Sequence, residues 1–178
     1  TDVKNKVNEI LNNTINIGND QINQLKVLPK GGLKGLMYYK TSIAQRFKIK
    51  ITIDISIKEN GILYKLSKKK INELTKILGI YYDNAIEAAK DCRNKNILIE
   101  IYELKDKVNI VISNTFKKES IIKGKNKKGV SSKGNGRGYG LYFANKIIYN
   151  NNWIQTKQEI IDNYYIETIT ILKNTSKK

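Results

Sequence analysis

The segment best suited to bind an anion is a glycine-rich run at residues 133–141, which reads Lys133-Gly134-Asn135-Gly136-Arg137-Gly138-Tyr139-Gly140-Leu141. Its four glycines stand at alternate positions and open a segment with helical spacing. Glycine lets the backbone approach an anion closely, and the N–H groups at the start of a helix point toward it. The run therefore predicts a phosphate site, with a flexible hinge as the alternative.

Two better-known phosphate motifs do not fit the chain. Residues 124–131 have the glycine spacing of a P-loop, but Val130 stands where that motif needs its lysine. The dinucleotide fingerprint fails at Leu141, where it requires a glycine. No predicted strand leads into either segment, so neither fold of this kind is expected.

A second group of polar residues lies in a long predicted helix. Asp83, Asn84 and Glu87 fall within one turn, and the spacing puts Asn84 and Glu87 on one face. Mg²⁺ takes oxygen ligands and keeps several waters, so one Asn oxygen together with nucleotide phosphates is a plausible ligand set. The alternative is an asparagine that bonds locally to the backbone.

Asn114 ends a predicted strand just before a long polar stretch, residues 115–137. A polar side chain at such a strand end could bind the edge of a base, whereas the alternative is an asparagine that starts a turn. The polar stretch has no periodicity. Loops of that length inside a compact domain are usually functional, so it is expected to be a lid.

Hydrophobic periodicity predicts the elements that position these residues. Residues 49–57 alternate isoleucine with polar residues, which indicates a strand with one buried and one wet face. The first helix of the domain should turn Leu36, Met37, Ile43, Ala44 and Phe47 inward, and Ser67 should cap the long helix. The predicted helices are 3–17, 33–47, 68–91 and 138–150, and the strands are 49–57, 96–104, 108–114, 153–157 and 164–172. This order predicts an α/β (α+β) two-layer sandwich whose mixed sheet is covered by helices on one face.

Composition excludes several classes of protein. The 178 residues contain no histidine and a single cysteine, Cys92, which excludes an intrachain disulfide and His-dependent catalytic dyads. No apolar stretch is long enough to span a membrane. The net charge of +17 comes from 30 lysines and only 3 arginines, in a chain also rich in Ile and Asn. Drift toward A/T-rich codons explains that bias, and base recognition favours arginine, so no nucleic-acid partner is expected.

In combination and in this order, the segments resemble the ATP-binding domain of the GHKL superfamily, which includes gyrase-type ATPases and sensor histidine kinases. Asp83-Asn84-Ala85-Ile86-Glu87-Ala88 resembles the family's asparagine box, and Gly136-Arg137-Gly138-Tyr139-Gly140-Leu141 its second glycine box. The nearest likeness is to peptide-quorum-sensing kinases of the accessory-gene-regulator type (AgrC- and VirS-like). That group has a similar upstream helix, matched here by residues 33–40.

The resemblance implies a Bergerat-type fold that binds ATP and Mg²⁺. Asn84 would ligate Mg²⁺, with Glu87 beside it, and the second glycine box with Lys133 and Gly134 would contact the phosphates. The first glycine box is not intact, and Asn114 stands where the family usually has the aspartate that binds adenine. Ile80 stands where gyrase-type relatives have a catalytic glutamate, and isoleucine cannot act as a base.

The resemblance also implies a function and its partners. The chain would be the catalytic domain of a histidine kinase, with no catalytic side chain of its own, and would phosphorylate a histidine on an upstream dimerisation helix. Residues 1–30 would be the end of that helical region and a linker, and residues 31–178 the ATP-binding domain. The whole protein would be a membrane-anchored homodimer that signals to a response regulator, with this domain in the cytoplasm. The alternatives are a GHKL ATPase, a serine kinase of a regulator, or a basic nucleic-acid-binding module.

Overall fold

The computed structural model describes residues 20–117 and 139–173 of the chain. In these ranges there are four α-helices, two 3-10 turns (Leu25–Val27 and Leu63–Lys65) and five strands. The helices are α1 (Asp20–Gln24), α2 (Gly32–Arg46), α3 (Lys68–Lys90) and α4 (Tyr139–Tyr149). The strands are β1 (Lys50–Ser56), β2 (Asn96–Glu103), β3 (Lys107–Thr115), β4 (Ile154–Ile161) and β5 (Tyr164–Leu172).

The five strands form one mixed sheet in the order β1-β2-β3-β5-β4. β1 runs parallel to β2, with Ile53 opposite Ile99, and every other pair is antiparallel. A parallel pair requires a long crossover between its strands, and here α3 supplies it. The mixed sheet predicted from the sequence is confirmed.

The main core lies between α2, α3 and α4 and one face of this sheet. The odd-numbered isoleucines of β1, Ile51 and Ile53, join this core, whereas Lys50 and Ser56 are exposed at the ends of the strand. On α3 the apolar stripe includes Leu74, which is fully buried. Burying a side chain of this size contributes about 1.5–3 kcal/mol, so the amphipathic pattern fixes which side of the helix faces the sheet.

The start of α3 follows the sequence closely. Ser67 has extended backbone angles, and its Oγ accepts a hydrogen bond from the N–H of Lys70 at 3.4 Å. A serine in this position satisfies one of the N–H groups that a helix leaves unpaired at its start. The predicted cap is therefore confirmed.

The central strands depart from strict alternation. Leu98, Val111 and Ile166 lie outside the main core cluster, yet each is no more than 2% exposed. β2 and β3 are thus buried on both faces along most of their length. The alternation in β1 predicts a solvent-exposed second face, but that exposed face does not extend to the middle of the sheet.

Two details of the sequence-based elements are wrong, and a pair of core residues was not predicted. Phe47 is 45% exposed rather than inward, because it follows the last turn of α2, and its ring lies under the Lys90 ammonium group at 5.7 Å. β4 runs on to Ile161, which pairs with Tyr164 across a tight turn where Asp162 has φ 54°. Leu25 and Leu28, which no predicted element included, are buried core residues.

Some predicted elements lie outside the described residues, namely the helix at 3–17 and residues 118–137 of the lid. Within the described ranges, no helix combines the length and apolar character needed to cross a membrane.

Candidate functional site

Helix α3 presents different residues to three neighbours. Tyr81 and Ala85 are buried in the core on the sheet side. Asp83 faces α2, where its Oδ1 lies 2.5 Å from Lys40 Nζ. Ile80 faces the start of α4, where it contacts Gly140. Because residues four apart lie on the same side of a helix, Asn84 follows Ile80 on the side toward α4.

The carboxamide of Asn84 is half-buried and makes no hydrogen bond with any residue that the structure describes. Local bonding to the backbone, the alternative reading of this residue, is therefore not what this asparagine does in the described ranges. Glu87, one turn later, is also half-buried on the same side of α3. Both oxygen-bearing side chains therefore lie on the side of α3 that faces α4.

Gly140, which belongs to the second glycine box, packs against this side of α3. A Cβ added at Gly140 would lie 3.2 Å from Ile80 Cγ2, which is closer than side chains normally pack. Leu141 packs against the core, and Tyr139 is 42% exposed. The remaining predicted phosphate-binding residues, Lys133, Gly134, Gly136, Arg137 and Gly138, lie outside the described residues.

Asn114 lies inside β3, one residue before its end, and is only 3% exposed. It is opposite Tyr165 of β5, and its Nδ2 donates a hydrogen bond to the carbonyl oxygen of Thr115 at 2.9 Å. It does not start a turn. One of the two Nδ2 hydrogens is used in this way, so Asn114 can offer a ligand its acceptor Oδ1 and a second N–H.

A buried polar cluster below α3 was missed by the sequence reasoning. Glu167 is 4% exposed, and its Oε1 accepts a hydrogen bond from Gln158 Nε2 at 2.5 Å. Burial raises the pKa of the Tyr81 and Tyr165 phenols well above their usual range, and the charge of Glu167 raises both further. The only sequence signal was a carboxylate at an inward position of β5, two residues before the buried Ile169.

No cluster of three or more Cys, Asp or Glu side chains suited to holding a metal is found in residues 20–117 and 139–173. A cation near Asn84 would therefore take most of its ligands from water or from a bound molecule. Mg²⁺ binds in that way in many phosphate sites, through one or two protein oxygens together with phosphate oxygens.

Similar folds occur among solved structures. The catalytic domain of the histidine kinase ThkA is 18% identical, with a TM-score of 0.62 over 86% of this chain and 95% of that chain. ThkA in complex with the response regulator protein TrrA gives 16% identity and a TM-score of 0.60 over 83% of this chain and 41% of that chain. The histidine kinase AdeS of Acinetobacter baumannii gives 14% identity and a TM-score of 0.55, over 80% of this chain and 65% of that chain. The fold is thus that of histidine kinase catalytic domains, as predicted.

The sequence comparisons are consistent with that fold. Among curated proteins, none matches this chain significantly. The family model described as "GHKL domain" matches residues 69–172, from the start of α3 to the end of β5. Because this match spans more than half of the chain and includes Asn84, Asn114 and Gly140, the chain belongs to the GHKL family of ATP-binding domains.

Proposed function

We propose that the chain is the catalytic domain of a sensor histidine kinase, and that it transfers the γ-phosphoryl group of ATP to a histidine on an upstream dimerisation helix. Its membership of the GHKL family and the fold that it shares with kinase catalytic domains support this function. The identity and packing of Ile80 are the observation that favours phosphoryl transfer over ATP hydrolysis.

Ile80 lies one turn before Asn84 and is partly buried against the core and Gly140. A hydrolase needs a base near this point to activate water, and isoleucine has no group that can accept a proton. Phosphoryl transfer to a protein acceptor needs little beyond positioning and charge stabilisation. The site is therefore better suited to pass the phosphoryl group to another side chain.

The side chains on the side of α3 that faces α4 have the chemistry needed to bind Mg²⁺ and ATP. Asn84 is half-buried and its side chain has no bond to the described chain, and Gly140 packs so closely on Ile80 that a Cβ would lie 3.2 Å from Ile80 Cγ2. Mg²⁺ would neutralise phosphate charge, with Asn84 as its protein ligand and Glu87 beside it. We assign phosphate binding to the second glycine box, residues 136–141, through its backbone N–H groups, together with Lys133 and Gly134.

Adenine would be bound by Asn114. The amino group of adenine is a donor, and an aspartate in this position would accept its hydrogen bond. Asn114 has an acceptor as well, its Oδ1, and one of its two Nδ2 hydrogens bonds to the Thr115 carbonyl. The Oδ1 acceptor therefore takes the place of the carboxylate, and preference for adenine survives the change from aspartate to asparagine.

Autophosphorylation by the isolated chain provides the test. The chain contains no histidine, so with Mg²⁺ and γ-labelled ATP it should bind nucleotide but gain no acid-labile phosphate. Adding an upstream helix that carries a histidine should give acid-labile label on that helix, because only a docked imidazole can approach the γ-phosphorus in line. Rapid phosphate release without an acceptor would instead assign an ATPase, and acid-stable label would assign a serine kinase.

Within the histidine kinases, we assign the chain to the accessory-gene-regulator type. This assignment rests on the resemblance at residues 33–40, in the asparagine box and in the second glycine box. In such a protein residues 1–30 would belong to the dimerisation and linker region and residues 31–178 to the catalytic domain. The whole protein would be a membrane-anchored homodimer with this domain in the cytoplasm. The complex of ThkA with TrrA supports a response regulator as the partner. Transfer of label from the phosphorylated helix to a response regulator aspartate would test this part.

A further inference from the structure

Helices α2 and α3 contact each other at three successive points next to Asn84. A Cβ at Gly79 would lie 3.5 Å from Leu36 Cδ1, so the helices approach closely there. The hydroxyl groups of Thr41 and Tyr82 are 3.0 Å apart, and both residues are buried. Next to them, Lys40 Nζ forms an ion pair with Asp83 Oδ1 at 2.5 Å. The last two contacts use the two residues that immediately precede Asn84.

These contacts fix how α3 is rotated about its own axis. Gly79, Tyr82 and Asp83 form one stripe of the helix, which faces α2. Ile80 and Asn84 form a neighbouring stripe, which faces α4 at Gly140. A helix held on two flanks cannot rotate without breaking contacts on one of them. The direction of the Asn84 side chain is therefore set by α2 as well as by α4.

The outermost of these contacts is the one that can be changed without damaging the core. Only 13% of the Lys40 side chain is exposed, whereas its partner Asp83 is 53% exposed. Thr41 and Tyr82 are buried, so removing either would open a cavity. Because Asp83 is about half exposed, solvent screens this ion pair, which therefore contributes little to overall stability. Its loss should therefore leave the domain folded.

We propose that Lys40 is a positioning residue for the metal site, which holds α3 through Asp83 so that Asn84 faces the bound phosphates. This inference rests on the proposed role of Asn84 as a Mg²⁺ ligand. Mg²⁺ demands near-ideal octahedral geometry, so a small rotation of its ligand lowers affinity. The rival role for Lys40 is direct attraction of the phosphates by its ammonium group, with no part for Asp83.

Four variants separate these two roles: Lys40→Met, Asp83→Asn, the double variant, and Lys40→Arg. ATP affinity is measured by calorimetry with and without Mg²⁺. If the ion pair positions Asn84, then Lys40→Met and Asp83→Asn both lower the Mg²⁺-dependent gain in affinity by about tenfold, the lower end of what supporting residues of metal ligands cost. The double variant is no worse than either single variant, and Lys40→Arg retains most of the gain.

Lys34→Met is the matched control, because it removes a lysine from the same helix whose Nζ contacts the Lys26 carbonyl at 2.6 Å rather than α3. It should bind as the parent does. If the phosphates are attracted directly, Asp83→Asn binds as tightly as the parent or more tightly, because it removes a negative charge. That result overturns the proposal.

A readout without nucleotide keeps this inference distinct from the proposed function. In NMR spectra of the ligand-free chain, Lys40→Met and Asp83→Asn should shift the side-chain amide signal of Asn84 in the same direction, whereas Lys34→Met should not. A parent chain that gains nothing from Mg²⁺ would refute the proposed metal site, and the Asn84 signal would still decide whether the ion pair sets its position. An unmoved Asn84 signal in both variants refutes the positioning role.

Discussion

Gly140 at the start of α4 and Ile80 in the middle of α3 are so close that a Cβ on the glycine would lie 3.2 Å from Ile80 Cγ2. This contact joins the glycine-rich segment to the helix that carries Asn84. The two segments are about 60 residues apart in the chain, and each would be weak evidence of a nucleotide site by itself. Their contact places two short motifs that are distant in the chain next to each other.

Replacing Gly140 by Ala should lower Mg-ATP affinity because the added methyl group forces α3 and α4 apart by a few tenths of an ångström. Stability should change by less than about 1 kcal/mol, because Ala favours the helix and offsets part of the strain. Calorimetric titration with ATP and thermal unfolding measure the two effects.

The double variant Gly140→Ala with Ile80→Ala should recover affinity relative to Gly140→Ala alone, because it removes the side chain that the methyl group meets. Gly35→Ala is the control, since a Cβ there meets no atom within 4 Å. It should bind ATP normally and be more stable by about 0.5–1 kcal/mol. Unchanged affinity in Gly140→Ala would argue that this contact has no part in binding.

Replacing Asn84 by Ala should abolish the gain in ATP affinity that Mg²⁺ provides, because the proposed protein ligand is lost. The fold should survive, since the Asn84 side chain makes no bond with the described chain. Asn72→Ala is a matched control, since Asn72 is an exposed asparagine on the same helix. Mg-ATP binding by Asn84→Ala at parental strength would contradict the assignment.

The side chain of Asn114 should determine whether the domain prefers ATP to GTP. Asn114→Asp retains an acceptor and should still prefer ATP to GTP, whereas Asn114→Ala should lose that preference. Asn114→Ala should also destabilise the domain by about 1–3 kcal/mol, because the buried Thr115 carbonyl loses its hydrogen bond. Competition between ATP and GTP, alongside denaturant unfolding, tests both effects. If the parent, Asn114→Asp and Asn114→Ala all prefer ATP to GTP by the same factor, Asn114 has no part in recognising the base.

The domain should lose stability in alkali. Burial raises the pKa of Tyr81, Tyr82 and Tyr165 in the folded chain. Above a pH of about 10 the unfolded chain releases these phenolic protons while the folded chain keeps them. The free energy of unfolding is therefore highest below about pH 10 and falls as the pH rises further, by at most about 1.4 kcal/mol per pH unit for buried Tyr82 and by less for the half-buried Tyr165.

Denaturant unfolding between pH 8 and pH 11 measures this loss. Tyr82→Phe is the informative variant, because it cannot ionise and also lacks the bond to Thr41. It should be less stable than the parent at pH 8 but should lose less stability on going to pH 11. An equally steep loss in the variant would show that Tyr82 does not contribute.

The sequence alone determined most of the fold. Alternation in β1, the apolar stripe of α3 and the Ser67 cap are local patterns whose periods differ between strand and helix, and each predicted its element. The order of the elements then restricted the sheet to a mixed topology. The predicted burial of Phe47 and the predicted length of β4 were wrong, because the ends of helices and strands depend on the residues that pack beside them.

For the site, the sequence supplied the residue types and the tertiary structure decided their relationships. Spacing on one helix put Asn84 and Glu87 on one side, because helical geometry is local. It could not show that Ile80 meets Gly140, that Lys40 pairs with Asp83, or that Glu167 is buried beside Tyr81. Those relationships join residues 43 to 86 positions apart along the chain, and only the packing of helices on the sheet brings them together.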